Sequence, residues 1–222
     1  MKTRNTIFAL SIFILFHFQD KLFSQYRIGI QGGAGVSNYV GSDFSSDNDP
    51  KFGASAGFFF EKEINLSLCL GLELNYEQKG TYYNDYPREG TTISVDSRFS
   101  YLSLPVFSKI YFGKKADFFI YLGLSGGYLL DSESTVKATE YGYVIDTDPF
   151  FPYTFRKYDA TLSGGFGFNI SKVNIDIRYH HGLLNVYDGK NVPSIRNSFI
   201  TATLGITLYK KGVLNCFNNR AY

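Results

Sequence analysis

A chain of 222 residues holds one β-barrel or two small domains, and with 44% hydrophobic and 19% charged residues it is not a disordered polymer. Its 22 Phe, 18 Tyr and 22 Gly beside one Met and no Trp favour strands over helices, and past the amino terminus no run reaches the ~20 apolar residues of a spanning helix. A net charge of +2 without a basic cluster excludes a nucleic-acid partner, and two cysteines, Cys69 and Cys216, exclude a disulfide framework.

Lys2 and Arg4 precede an apolar run over residues 7–18, broken only by Ser11 and His17, after which the chain turns polar at Gln19, Asp20 and Lys21. The run is too short to span a bilayer and has the layout of a secretory signal peptide, so residues 1–24 are expected to be removed after Ser24. Residues 25–211 then form the barrel domain and 212–222 a short tail.

Strict alternation marks the strands. In LSLCLGLELNYE, Leu66, Leu68, Leu70, Leu72, Leu74 and Tyr76 share one face, with Ser67, Cys69, Gly71, Glu73, Asn75 and Glu77 on the other. Counting weaker versions, eight strands are predicted at 26–38, 52–61, 66–77, 99–112, 118–130, 157–170, 173–183 and 200–209. The connections alternate in length: 40–51, 81–98, 131–156 and 184–197 are long, while the joins at 62–65, 113–117 and 171–172 are hairpin turns. In an antiparallel meander this parity puts every long loop at one end, the asymmetry of outer-membrane barrels with short periplasmic turns. Charge sorts the same way. Asp43, Asp47 and Asp49, then Asp131, Glu133, Glu140, Asp146 and Asp148, lie in long connections, whereas Lys62, Lys114, Lys115 and Lys172 lie in short ones.

A soluble barrel would show the same alternation with its apolar face inward. The segment FFIYLGLSGGYLL and the last strand carry no charge on either face, which a water-exposed wall would need. Elsewhere the polar face combines small residues with Arg27, Glu73, Lys109, Asp159, Asp176, Arg178 and His180, a crowded interior whose opposite charges must pair. The expectation is a plugged lumen with this polar network inside, and aromatic girdles drawn from Tyr26, Tyr39, Phe60, Tyr76, Phe112, Tyr128 and Phe168.

GIQGGAGVSNY (29–39), GFFFEKEINLSLCLGLELNYEQKG (57–80), YLSLPVFSKIYF (101–112) and FFIYLGLSGGYLL (118–130) resemble the PorT-like outer-membrane β-barrel family, most specifically in the EL-x-Y-x-x-KG and YL-x-LP-x-x-x-K runs. The resemblance implies an all-β, eight-stranded antiparallel transmembrane barrel with no shared enzymatic activity and no functional residues. The chain departs from that pattern in continuing beyond Tyr209 to Tyr222 rather than ending on the last strand's aromatic.

No catalytic, cofactor or metal site is expected. His180 and His181 are adjacent, so alternation separates them and they cannot share a metal, while the acidic residues of 43–49 lack the downstream Glu and the Gly of an EF-hand loop. Gly32, Gly33 and Gly35 open no helix that would hold phosphate, and Cys69 and Cys216 are not expected to pair. The expected function is that of a non-enzymatic outer-membrane surface protein set in outer-membrane lipid, whose extracellular loops contact a protein or a glycan. Two alternatives stand beside it: a lipid-modifying enzyme centred on His180, with Asp176 and Arg178 on its face, and a small-solute channel.

Overall fold

The computed structural model describes residues 25–211 apart from 42–47, 66, 89–90, 113–116, 148–153, 190–191 and 193. The expected signal peptide and tail, and with them Cys216, Asp43, Asp47, Asp148, Lys114 and Lys115, lie outside the described residues. The strands are β1 (Tyr26–Val40), β2 (Asn48–Asn65), β3 (Leu68–Arg88), β4 (Thr91–Phe112), β5 (Phe118–Glu140), β6 (Tyr143–Thr147), β7 (Thr154–Phe155), β8 (Tyr158–Ile170), β9 (Val173–Gly182), β10 (Tyr187–Asp188) and β11 (Arg196–Lys211).

Eight of them close on themselves. β1 to β5 pair in chain order, followed by β8, β9 and β11, and the antiparallel β1–β11 ladder joins the first strand to the last. Closure leaves the ring no unpaired edge, the condition under which a sheet can sit in hydrocarbon. At one end the hairpins are tight: Ser171 and Lys172 alone join β8 to β9, with Ser171 at φ 59.

β3, β4 and β5 run well past the predicted strand ends. Of residues 81–98, expected as a loop, 81–88 belong to β3 and 91–98 to β4, paired from Lys79·Phe99 out to Arg88·Thr91. Likewise β5 continues through residues 131–140 and turns back as β6 over Tyr141 and Gly142, both at positive φ. The alternation persists there in polar form: Val95, Ser97 and Phe99 are buried while Asp96 and Arg98 are exposed, so the lack of an apolar outer face hides strands that have left the membrane.

The wall is inverted relative to a soluble protein. Exposed outward side chains include Ile28 and Ile30 on β1, Leu70, Leu72 and Leu74 on β3, Leu122 and Leu124 on β5, and Leu204 and Ile206 on β11. At the short-turn end Tyr26 lies 5.7 Å from Phe60 and 5.9 Å from Tyr209, and Phe118 lies 5.2 Å from Phe168. At the other end Tyr128 meets Tyr158 at 5.6 Å and Tyr179 meets His181 at 6.2 Å. From Phe118 to Tyr128 the tilted strand rises about 25 Å, the height of an outer-membrane apolar band. Between the two rings no Asp, Glu, Lys or Arg among the described residues points outward. Tyr39 departs from the expected girdle, because its ring turns inward, 3% exposed, and packs 6.3 Å from Phe99.

Candidate functional site

The inward residues build three stacked polar clusters held by aromatic layers. Nearest the short turns, Glu61 takes the Arg27 guanidinium on one oxygen and Lys109 Nζ at 2.7 Å on the other. Arg27 Nη2 also donates to Tyr111 Oη at 3.3 Å. In the middle, Arg178 Nη1 donates to both Glu73 oxygens at 2.9 Å, while its Nε and Nη2 donate to Asp176 at 2.7 and 3.0 Å. Asn75 Nδ2 donates to Glu73 at 2.9 Å, and Asn75 Oδ1 accepts from Gln31 Nε2 at the same distance. Higher up, Lys79 Nζ lies 2.8 Å from Glu77 and 3.7 Å from Asp159, Ser103 Oγ donates to Glu77 at 2.8 Å, and Asn197 reaches Asp159 at 3.5 Å.

Each of these cations also faces a ring. Arg178 stands 4.1 Å from the Tyr121 centroid, Lys109 4.5 Å from Phe119, Lys79 5.3 Å from Tyr101 and Arg27 5.7 Å from Phe59. Four buried cations against five buried carboxylates leave the interior close to neutral. Removed from water, such charges are tolerated only because almost every lone pair and proton is used. Glycines create the space: a Cβ at Gly71 would lie 2.2 Å from the Phe107 ring, and one at Gly29 2.3 Å from Phe59. Pro105, which has no N–H, stands opposite Glu73 where the β3–β4 ladder skips from Leu72·Val106 to Asn75·Ser103.

His180 shares its face of β9 with Asp176 and Arg178, but its ring nitrogens bond neither. Arg178 is fully engaged by Glu73 and Asp176, so the imidazole bonds hydroxyls instead, its Nδ1 2.8 Å from Ser163 Oγ and its Nε2 3.2 Å from Thr201 Oγ1. The gap lined by His180, Glu77, Lys79, Tyr101 and Asp159 has no room for a water molecule. At the long-loop end Tyr39, Phe99, Tyr101, Val186, Tyr187 and Ile195 form a second apolar cluster. Phe155, brought in by the β7–β10 pair, lies 4.9 Å from Phe99 and 5.7 Å from Tyr187. Among the described residues no three His, Cys, Asp or Glu side chains gather as a metal site.

A family profile described as "Outer membrane protein beta-barrel domain" matches residues 18–188. The chain belongs to that family. It is an outer-membrane protein, so the short-turn end is periplasmic and the end bearing β6, β7 and β10 is extracellular. Neisserial surface protein A is 14% identical over 82% of this chain and 97% of its own, with a TM-score of 0.44. Ail of Yersinia pestis, solved with the heparin analogue sucrose octasulfate, is 14% identical over 84% and 100%, with a TM-score of 0.47. OprG of Pseudomonas aeruginosa is 10% identical over 86% and 98%, with a TM-score of 0.37. No curated protein matches the sequence.

Within this outer-membrane barrel the structure gathers the seven sequence-predicted residues into separate groups: Arg27 with Lys109, Asp176 with Arg178 and Glu73, Asp159 by itself among them, and His180 with hydroxyls. Glu61, Glu77 and Lys79, the residues that complete two of the groups, were not among them. The signal was present: Glu61 shares a face with Phe59, and Glu77 and Lys79 continue the Glu73–Asn75 row. Glu61 and Glu77 are the last residues of the predicted strands 52–61 and 66–77, and Lys79 falls past that end, where alternation no longer assigns a face.

Proposed function

We propose that this barrel is a PorT-like, non-enzymatic surface protein with a sealed lumen, acting at its extracellular end by contact with a protein or a glycan. The observation that carries the reading is the interior itself: three charge clusters, each cation clamped by carboxylates and a ring, stacked below an aromatic cap. The near balance of charge gives no sign preference to a permeant ion. A Ser163–His180 hydrolase would need an acid on the far imidazole nitrogen, where Thr201 stands, and an entrance for lipid at a site whose gap excludes even water. Outside the membrane the β3–β4–β5–β6 extension presents Tyr141, Tyr143 and Val144, all more than half exposed, as contact area. PorT-like membership rests on the sequence blocks quoted above.

The test is single-channel recording of the refolded chain in planar bilayers. Silence at moderate voltage is expected, and stable, reproducible conductance steps would overturn the sealed lumen.

A further inference from the structure

At the periplasmic end the outward wall finishes in a row of mixed chemistry. Strand registers place Leu70 of β3, Lys62 of β2, Tyr26 of β1 and Lys211 of β11 side by side. The next row toward the membrane centre is Leu72, Phe60, Ile28 and Tyr209, every one at least 40% exposed, and the Phe60 and Tyr209 rings lie against Tyr26. Two lysines therefore flank one tyrosine, their backbones about 10 Å apart across two strand spacings.

Neither lysine has an ion-pair partner among the described residues, in contrast to the interior, where every cation has a carboxylate. The carboxylates at this end lie elsewhere. Glu61 is buried with Arg27, and Glu63 stands opposite the buried Cys69 on the inward face of β2. Asp117 immediately precedes β5, which is four strands from β1 in either direction around the ring. Residues 113–116 and 212–222, outside the described residues, contain no Asp or Glu and add Lys114, Lys115 and Arg220. In residues 1–24, the expected signal peptide, the sole carboxylate is Asp20.

We propose that this row binds a phospholipid of the periplasmic leaflet whose head group is a net-negative phosphodiester. Its position fixes the occupant as lipid. The row issues from the same outward face as Ile28 and Leu72, so what meets it is the leaflet's own phosphate layer, which lysine stems reach along an apolar wall. Its charge fixes the class. A zwitterionic head group brings an ammonium toward two lysines with no outward carboxylate on β11, β1 or β2 to receive it, whereas a net-negative one brings phosphate alone. Tyr26 adds a phenolic donor. The row is at the opposite end of the barrel from the extracellular contact surface, so it stands or falls apart from the proposed function.

The test places a single tryptophan one row above Tyr26, as Phe60→Trp, in the refolded full chain. The vesicles hold equal parts phosphatidylglycerol and phosphatidylethanolamine, with bromine on the acyl chains of one lipid or the other, so that quenching reports which lipid lies beside residue 60. Occupancy by phosphatidylglycerol is expected to exceed that by phosphatidylethanolamine roughly fivefold at low ionic strength, the scale of a surface lysine, and to shrink in about 0.5 M salt. Lys62→Gln and Lys211→Gln should each lower the ratio and together bring it near one. Lys137→Gln, which removes the same charge from the extracellular end, should leave it unchanged. None of these lysines belongs to the interior network, so the heat-modifiable gel mobility of a folded barrel should be retained and checks folding. Equal quenching by the two labels would overturn the assignment while leaving residue 60 in lipid and the wall intact. A preference that survives the double substitution, or that falls as far with Lys137→Gln, would overturn it too, and quenching by neither label would sink the site and the wall together.

Discussion

Replacing Glu73 by alanine is expected to destabilise the barrel by about 3–5 kcal/mol, the cost of leaving a buried charge without its partner. Glu73 accepts both Nη1 bonds of Arg178 and one from Asn75, and all three side chains are shielded from water. Its loss leaves Arg178 with Asp176 on one flank and a void on the other, close to where the β3–β4 ladder skips at Pro105. Glu73→Gln retains an acceptor for the guanidinium and an amide for the network, so it should cost distinctly less. The contrast is Asp96→Ala on the extracellular extension. Asp96 pairs with Lys51, but its side chain is 49% exposed, and exposed pairs are worth at most about 1 kcal/mol. Urea unfolding in lipid vesicles, followed by heat-modifiable gel mobility, measures all three. Equal losses for Glu73→Ala and Asp96→Ala would contradict the interior network.

The second large effect is on the lipid face. Leu122 and Leu124 sit midway between the Phe118 and Tyr128 rings, 50% and 59% exposed in the isolated chain. Leu122→Arg should therefore cost about 2–4 kcal/mol in a bilayer, as for arginine at the midplane of other barrels, whereas Tyr158→Arg at the extracellular ring should cost at most about 1 kcal/mol. Equilibrium unfolding from phospholipid vesicles reads both directly. The ordering separates burial in lipid from generic loss of an apolar residue, since both positions are exposed and both lose an apolar side chain.

The barrel wall was legible in the sequence because each membrane strand has two chemically distinct faces. Leu70, Leu72 and Leu74 against Cys69, Gly71 and Glu73 fixes strand type and register together, and the Ser171–Lys172 turn follows from the break in that pattern. What alternation cannot report is a strand in water on both sides. Asp96 and Arg98 on β4, and Glu133, Thr135 and Lys137 on β5, stand opposite the buried Val95, Ser97, Val136 and Ala138, so the outward face there is polar and the pairing that continues is visible only once neighbouring strands are in place.

The interior groups show the same division. Periodicity puts Arg27, Lys109, Asp176 and Arg178 on the inward face. It does not say who meets whom, because, apart from the same-strand Asp176–Arg178 pair, the partners come from strands 34 to 105 residues apart in sequence. His180 illustrates the consequence: its same-strand neighbours Asp176 and Arg178 suggested an ionic setting, while Ser163 from β8 and Thr201 from β11 are the residues that hold it. Tyr39 fails for a related reason. It lies near the extracellular end of β1, where girdle and cap compete for aromatics, and the inward cluster of Phe99, Tyr101 and Tyr187 claims it.

The account rests on an inverted wall, with aliphatic side chains in lipid and charges inside, and the chain offers a clean background for testing it because it contains no tryptophan. Single substitutions at adjacent β5 positions, Leu122→Trp and Tyr121→Trp, in vesicles with and without bromine-labelled acyl chains, measure directly which side each residue faces. Strong bromolipid quenching of the tryptophan at 122 and little at 121 is the expected result. Quenching of 121 but not 122, or of neither, would contradict it.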